Sequence, residues 1–178
     1  CIIRNGITYI KKSNKKVAAI MPVHLYGQAA KLDKINKIAD EYNIPVVEDG
    51  AEALGAKINK QIIGSNSYLC TLSFNGNKII TGGQGGMILT NSDVLAEKAR
   101  ILIAQARQNR KEFIHEMVGY NYKMPNLNAA FALAQAENLN EYIEKKIKIR
   151  NLYNKYLSQY ENIKIKDETP GTSSTFWM

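Results

Sequence analysis

Three features of this 178-residue chain combine side-chain types and spacing suited to covalent and proton-transfer chemistry: the acidic pair Glu48 and Asp49, Lys78, and the glycine cluster Gly82, Gly83, Gly85 and Gly86. Asp49 ends an apolar run and is followed by the small residues Gly50 and Ala51. A carboxylate in that setting needs a cation or hydrogen-bond donors to offset its desolvation. Two partners meet the need equally well: the backbone N–H groups of a following helix, for which Asp49 is an N-cap, or the protonated ring nitrogen of a bound cofactor. Lys78 follows Gly76 and precedes the apolar Ile79 and Ile80. A partly desolvated lysine is a nucleophile toward carbonyl groups; by numbers alone, a lysine of this chain is a surface residue. The cluster TGGQGG follows a loop and opens no helix, and its spacing is neither that of a phosphate loop nor that of a dinucleotide fingerprint. It signals a tight bend or positive φ.

These groups need elements to hold them. Val17–Val23 reads VAAIMPV, the pattern of a strand covered on both faces. Leu32, Ile35, Ile38 and Ala39 predict an amphipathic helix over 32–42, stopped by Asn43 and Pro45. Ile44–Val47 is the next predicted strand. Strand, helix, strand with connections this short makes a right-handed parallel βαβ unit, and function gathers beyond the carboxyl ends of such strands. His24 and Asp49 both fall there. Tyr68–Phe74 predicts a further strand, Asn75–Lys78 a polar loop and Met87–Thr90 a returning strand. Ser92 and Asp93 cap a helix whose apolar face is Leu95, Ala99, Leu102, Ile103 and Ala106. Residues 108–124 read as a polar connection, and one long helix is expected from Asn126 to about Leu157. Near the start, Ile7–Ile10 followed by Lys11–Lys16 suggests a short hairpin arm.

Composition narrows the class. The chain is 45% hydrophobic and 22% charged, which excludes disordered and fibrous types and predicts a folded α/β body. Its 24 Lys and Arg outnumber 16 Asp and Glu, for a net charge of +8. The lysines are scattered and form no basic stripe interleaved with aromatics, so nucleic acid is not the expected partner. A basic surface does suit a nucleotide-linked substrate. Cys1 and Cys70 form neither a disulfide framework nor a metal site, and no run of about 18 apolar residues marks a membrane span. The expectation is a soluble, cytoplasmic protein without metal.

Four blocks carry a resemblance: HLYG (24–27), VVEDGAEALGA (46–56), SFNGNKIITGGQGGMI (73–88) and GYNYKMPNLNAA (119–130). In this order and spacing the chain resembles the sugar aminotransferases of the DegT/DnrJ/EryC1/StrS family. The resemblance implies the three-layer, mostly parallel α/β sheet of the aspartate-aminotransferase large domain, with a long C-terminal helix, and pyridoxal phosphate as cofactor. It implies that Lys78 anchors the cofactor covalently and moves the proton, and that Asp49 pairs with the pyridine nitrogen. Glu52 is implied beside the ring near its phenolic oxygen, Ser73 on the phosphate, and Asn121 on the phosphate of a neighbouring subunit's cofactor, which requires a homodimer. Residue by residue, plain alternatives stand beside these roles: Ser73 satisfying a strand end, Glu52 a first-turn acid, Asn121 fixing a turn. Tyr120 and Tyr122 either support substrate or pack, and His24 has no assigned task. Gln84 departs from the Glu of many members and bears only on local loop contacts.

The implied reaction moves an amino group from glutamate to a nucleotide-linked 4-keto-6-deoxy sugar. The opening segment and SFNGNKI are similar to enzymes acting on UDP-linked N-acetylhexosamines for surface polysaccharide or nonulosonic acid synthesis; GDP-perosamine-type enzymes share most of the motifs. The rival readings are a non-catalytic fragment or interaction domain of the same fold, and a related dehydratase in which histidine replaces the lysine, against which Lys78 argues. By this likeness residues 1–160 are the central part of the large domain and 161–178 the start of a smaller C-terminal domain.

Overall fold

Asn5 and Gly6 both take positive φ, 49° and 74°, and so turn β1 (Ile2–Arg4) back onto β2 (Ile7–Tyr9) as an antiparallel hairpin. Asn-Gly is the dipeptide that supports two such residues in succession. The computed structural model in which this arm appears describes residues 1–107, 114, 115 and 117–178. The expected connection over 108–124 therefore lies partly outside the described residues.

The βαβ unit forms with its boundaries shifted. The predicted strand over 17–23 pairs with its neighbour only through isolated parallel bridges, Ile20 to Val46 and Val23 to Asp49. Pro22 lacks an N–H and interrupts the ladder, yet its carbonyl still accepts from Asp49 N at 2.9 Å. α1 spans Leu32–Glu41 and ends where Asn43 adopts φ 48°. β3 is Val47–Asp49, so the acidic pair belongs to the strand itself, and Ile44–Val46 lead into it.

β4 (Lys57–Ile58) and β5 (Gln61–Ile62) form a small antiparallel hairpin. β6 (Leu69–Ser73) runs parallel to β3, and β7 (Gly86–Leu89) returns antiparallel on the other side of β6. The sheet order is thus segment 20–23, β3, β6, β7. Phe74, Ile80 and Ala132 form a buried cluster under the Lys78 turn, joined by Leu54, Met124 and Tyr142.

Ser92 caps α2 (Asp93–Ile103) by accepting from Leu95 N at 3.3 Å. Ala106, expected on that helix face, lies beyond its end at φ 52°, though it is fully buried. The single long helix over 126–157 is two: α3 (Asn126–Ala136) and α4 (Leu139–Leu157). The break falls at Asn138, whose side-chain amide donates to Ala134 O at 3.0 Å. A short amide bonding its own backbone competes with helix continuation. The chain then returns as β8 (Thr172–Ser173), which pairs antiparallel with β4. Thr175 N and Ser174 Oγ both donate to Gly27 O at 3.0 Å. Gly27 sits at φ 78°, and a Cβ there would stand 2.5 Å from Thr175 Oγ1, so only glycine admits this docking.

Candidate active site at the carboxyl ends of two parallel strands

The register puts Asp49 level with Thr71 on the neighbouring strand, and Ser73 two residues farther toward the same edge. The chain leaves β6 through a turn in which Lys78 N donates to Asn75 O at 3.1 Å, then closes on itself where Gly82 N donates to Phe74 O at 2.9 Å. The adjacency of β3 and β6 and one five-residue turn therefore bring Asp49, Ser73 and Lys78 to a single sheet edge, all three partly buried.

Each group leaves a function unspent. Asp49 accepts from Ala51 N through Oδ1 at 3.0 Å, while Oδ2 has no donor among the described residues. Ser73 Oγ accepts from Asn75 N at 3.3 Å, which leaves its hydroxyl proton for an acceptor. The Lys78 amine makes no ion pair among the described residues; its Nζ lies 4.1 Å from the centre of the Trp177 ring. Glu52 Oε2 accepts from Tyr26 N at 2.8 Å, which fixes that acid against the His24–Gly27 segment. An amine, a carboxylate oxygen and a hydroxyl suit a group with a carbonyl carbon, a basic ring nitrogen and a phosphate. Gly50 keeps the approach narrow: a Cβ there would meet Ile63 Cδ1 at 2.9 Å and Thr71 O at 3.0 Å.

His24 acquires a task. It is fully buried, its backbone N donates to Asp49 O at 3.0 Å, and its ring bridges two neighbours. Nδ1 accepts from Ala30 N at 2.9 Å, so the ring proton is on Nε2, which donates to Glu48 Oε2 at 2.9 Å. Glu48 also accepts from the Ser67 hydroxyl and, at 3.2 Å, from Gly64 N. Burial alone would raise the Glu48 pKa, but the bonds from His24 and Ser67 outweigh it and hold the carboxyl below its ordinary value. The side chains of Glu48 and Asp49 alternate across one strand, so this network anchors the strand whose next residue is the candidate ring-nitrogen partner.

Asn121 is exposed, bridges to Ala104, and lines a cleft of about 1070 Å³ with Gln84, Gly85 and Met124; Thr71 and Gly86, the register partners of Asp49 and Ser73, also line it, while Asp49, Ser73 and Lys78 themselves do not. Tyr120 and Tyr122 stack on each other with centroids 5.1 Å apart. Trp177 is the residue that motif reading missed: the chain has one tryptophan, a non-local anchor whose partners adjacency in sequence does not reveal. Among the described residues no group of His, Cys, Asp and Glu could hold a metal ion, and no helix is long and apolar enough to cross a membrane.

The same surroundings silence Cys70. Burial, and then the nearby Glu48 and Asp49 carboxylates, push its thiol up to about 12 from an ordinary value of 9.0. Three units leave about a thousandth of the usual thiolate, the reactive form. Thiol labelling of the folded protein, read by peptide mass spectrometry, is expected to mark the exposed Cys1 quickly and Cys70 only after denaturation. Rapid labelling of Cys70 in folded protein would contradict this.

Residues 8–178 match the family model of the DegT/DnrJ/EryC1/StrS aminotransferase family. The chain belongs to this family. Its members depend on pyridoxal phosphate, in keeping with the unspent groups of the sheet edge. The chain is 42% identical over 164 residues to a GDP-perosamine synthase of Caulobacter vibrioides, covering 92% of this chain and 44% of that protein. It is 30% identical over 161 residues to UDP-4-amino-4,6-dideoxy-N-acetyl-beta-L-altrosamine transaminase of Campylobacter jejuni, covering 88% and 43%. In three dimensions it superposes on a family aminotransferase from Brucella abortus with a TM-score of 0.85 at 26% identity, covering 94% of this chain and 44% of the other. The chain thus spans less than half the length of the curated relatives it matches.

Proposed function

We propose that the gene product carrying these residues transfers an amino group from glutamate to the 4-keto group of a nucleotide-linked 4-keto-6-deoxy sugar. The reading rests on one observation above all: Asp49 and Ser73 end adjacent parallel strands, and Lys78 sits in the turn that follows. Pyridoxal phosphate, when bound, supplies an electron sink for the carbon that loses its proton. The protein's share is to hold and to shuttle. Asp49 Oδ2 would keep the ring nitrogen charged, Ser73 would bind the phosphate, and Glu52, held by Tyr26 N, would border the ring. Lys78 Nζ would anchor the cofactor and carry the proton between the two reacting carbons. Asn121, exposed, would take the implied role at the site of a second copy in a homodimer.

The curated relatives bear on the sugar. GDP-perosamine synthases match at 36–42% identity and the UDP-sugar transaminase at 30%, which favours a GDP-linked substrate over the UDP-linked one expected from the opening segment. A cytoplasmic location and a division into a large-domain part over 1–160 and the start of a second domain over 161–178 belong to the same proposal.

The test supplies the full gene product with pyridoxal phosphate, glutamate and, in parallel, the GDP- and UDP-linked 4-keto sugars. A visible cofactor band, bleached by glutamate and restored by one keto sugar with stoichiometric 2-oxoglutarate, is expected. Cofactor binding with no amino transfer to any keto sugar would refute the reaction.

A further inference from the structure

The ring of Trp177 touches the lysine turn in two ways that nothing in the motifs requires. Lys78 Nζ lies over its face at 4.1 Å, and its indole N–H donates to the carbonyl of Asn77, the residue before the lysine, at 2.7 Å. The ring is only 5% exposed, so both contacts are shielded from water. It is itself held from three sides. Tyr26 stacks on it at 6.4 Å with an interplanar angle of 17°, Lys146 Nζ donates to its carbonyl at 3.0 Å, and the preceding Thr175 and Ser174 are fastened to Gly27. Tyr26 in turn holds Glu52 through its backbone N–H. One side chain thus joins the lysine turn, the Glu52 wall and the returning C-terminal segment.

We propose that Trp177 is a positioning residue for Lys78: its indole face is the seat of the lysine ammonium whenever Lys78 is not covalently engaged, and its N–H fixes the turn that carries the lysine. The face of an indole is the best of the aromatic surfaces for a cation. A lysine freed by the amino donor has four rotatable bonds and, without a seat, disperses into solvent. With the seat it stays beside the edge, where, once the ammonium has given up its proton, the free amine is within reach of the proton that the reacting carbon loses. The functional meaning rests on the reading of Lys78 as the cofactor anchor; the contact itself does not.

The experiment uses cofactor-free protein. Lys78 is labelled with a trace of acetic anhydride in the wild type, Trp177→Phe and Trp177→Leu, with labelling at each lysine read by peptide mass spectrometry and normalised to the exposed lysines. Lys78 is expected to label slowly in the wild type and several-fold to about thirty-fold faster in Trp177→Leu, the range of a shielded cation over an aromatic face. Trp177→Phe keeps a ring face and loses the N–H, and should fall between the two. Equal Lys78 labelling in all three overturns the proposal. If Trp177→Leu does not fold, Lys78→Met provides the second measurement. The emission of Trp177, taken as the difference between protein with Trp177 and its Trp177→Phe variant, must change when the cation over it is removed by Lys78→Met, and an unchanged difference also overturns the proposal. In the loaded enzyme the leucine variant should lower kcat more than it raises KM for glutamate. Neither the labelling nor the emission involves cofactor, so a failure to bind pyridoxal phosphate would sink the proposed function and leave the Trp177 result standing.

Discussion

The Lys78→Ala variant of the full gene product is expected to lose the visible band of covalently bound cofactor and to fall in amino transfer by at least the 10²–10⁴-fold that a positioned proton carrier contributes. Its fold should survive. Lys78 is half-buried, with no ion pair among the described residues, and its ring contact is worth roughly 0.5–2 kcal/mol. Lys78→Arg sharpens the test: it keeps a cation for the Trp177 face but supplies no amine for covalent attachment, so it should melt like the wild type and be as inactive as the alanine variant. Borohydride treatment of the loaded wild type should fix the cofactor mass on the peptide containing residue 78. An alanine variant that retains both the band and full turnover would remove Lys78 from the mechanism and leave the sheet edge without its nucleophile.

What the sequence discloses about this site follows the range of the interactions involved. The Ser92 cap and the stop of α1 at Asn43 depend on neighbours within a few residues, and each forms where the residue types place it, whereas the first hairpin turns at Asn5–Gly6, ahead of the arm expected over 7–16. The parallel pairing that brings Val23 beside Asp49 was legible in outline, because two apolar runs flanking an amphipathic helix leave one common topology, whereas the pairing of β3 with β6 across the β4–β5 hairpin was not. The break between α3 and α4 was not legible, because the apolar stripe runs on across it while the Asn138 amide turns back to Ala134. Pro22 weakened a strand that hydrophobicity alone makes continuous. The tasks of His24 and Trp177 were hidden for a different reason. The His24 ring acts on Glu48, 24 residues away, and the Trp177 indole on Asn77, 100 residues away, so both roles exist only after the chain has closed.

His24→Ala is expected to be the most destabilising single change near the site, by about 3–5 kcal/mol, because it leaves a buried carboxylate without its main donor. Glu48 is 3% exposed and His24 fully buried, so water cannot replace the lost bond without opening the sheet edge. Ser67 and Gly64 N remain as donors to Glu48, which puts the loss toward the lower end of that range. Glu48→Gln tests the same network from the other side: it removes the charge and keeps the shape, and should cost less, about 1–3 kcal/mol, through one mismatched hydrogen bond. The pH dependence has a definite sign. The Glu48 pKa is lower in the folded chain than its ordinary 4.5, so the unfolded chain takes up the proton first. The stabilisation from this carboxylate is therefore complete above about pH 4.5 and is lost as pH falls through the lower folded value. Urea unfolding at pH 7 and at successive steps below pH 4.5 should show wild-type stability falling more steeply with acid than that of Glu48→Gln, the two curves converging at low pH. Parallel curves would mean that the Glu48 carboxyl takes up its proton alike in the folded and unfolded chain, against the lowered folded value. Because His24 N and the bridge from Val23 to Asp49 lie on the same edge, a loss of this network should also weaken pyridoxal phosphate binding while Asp49 itself is intact. An Asp49→Asn variant should weaken it while the bonds of His24, Ser67 and Gly64 to Glu48 stay in place, which separates the residue that would meet the cofactor from the pair that holds it.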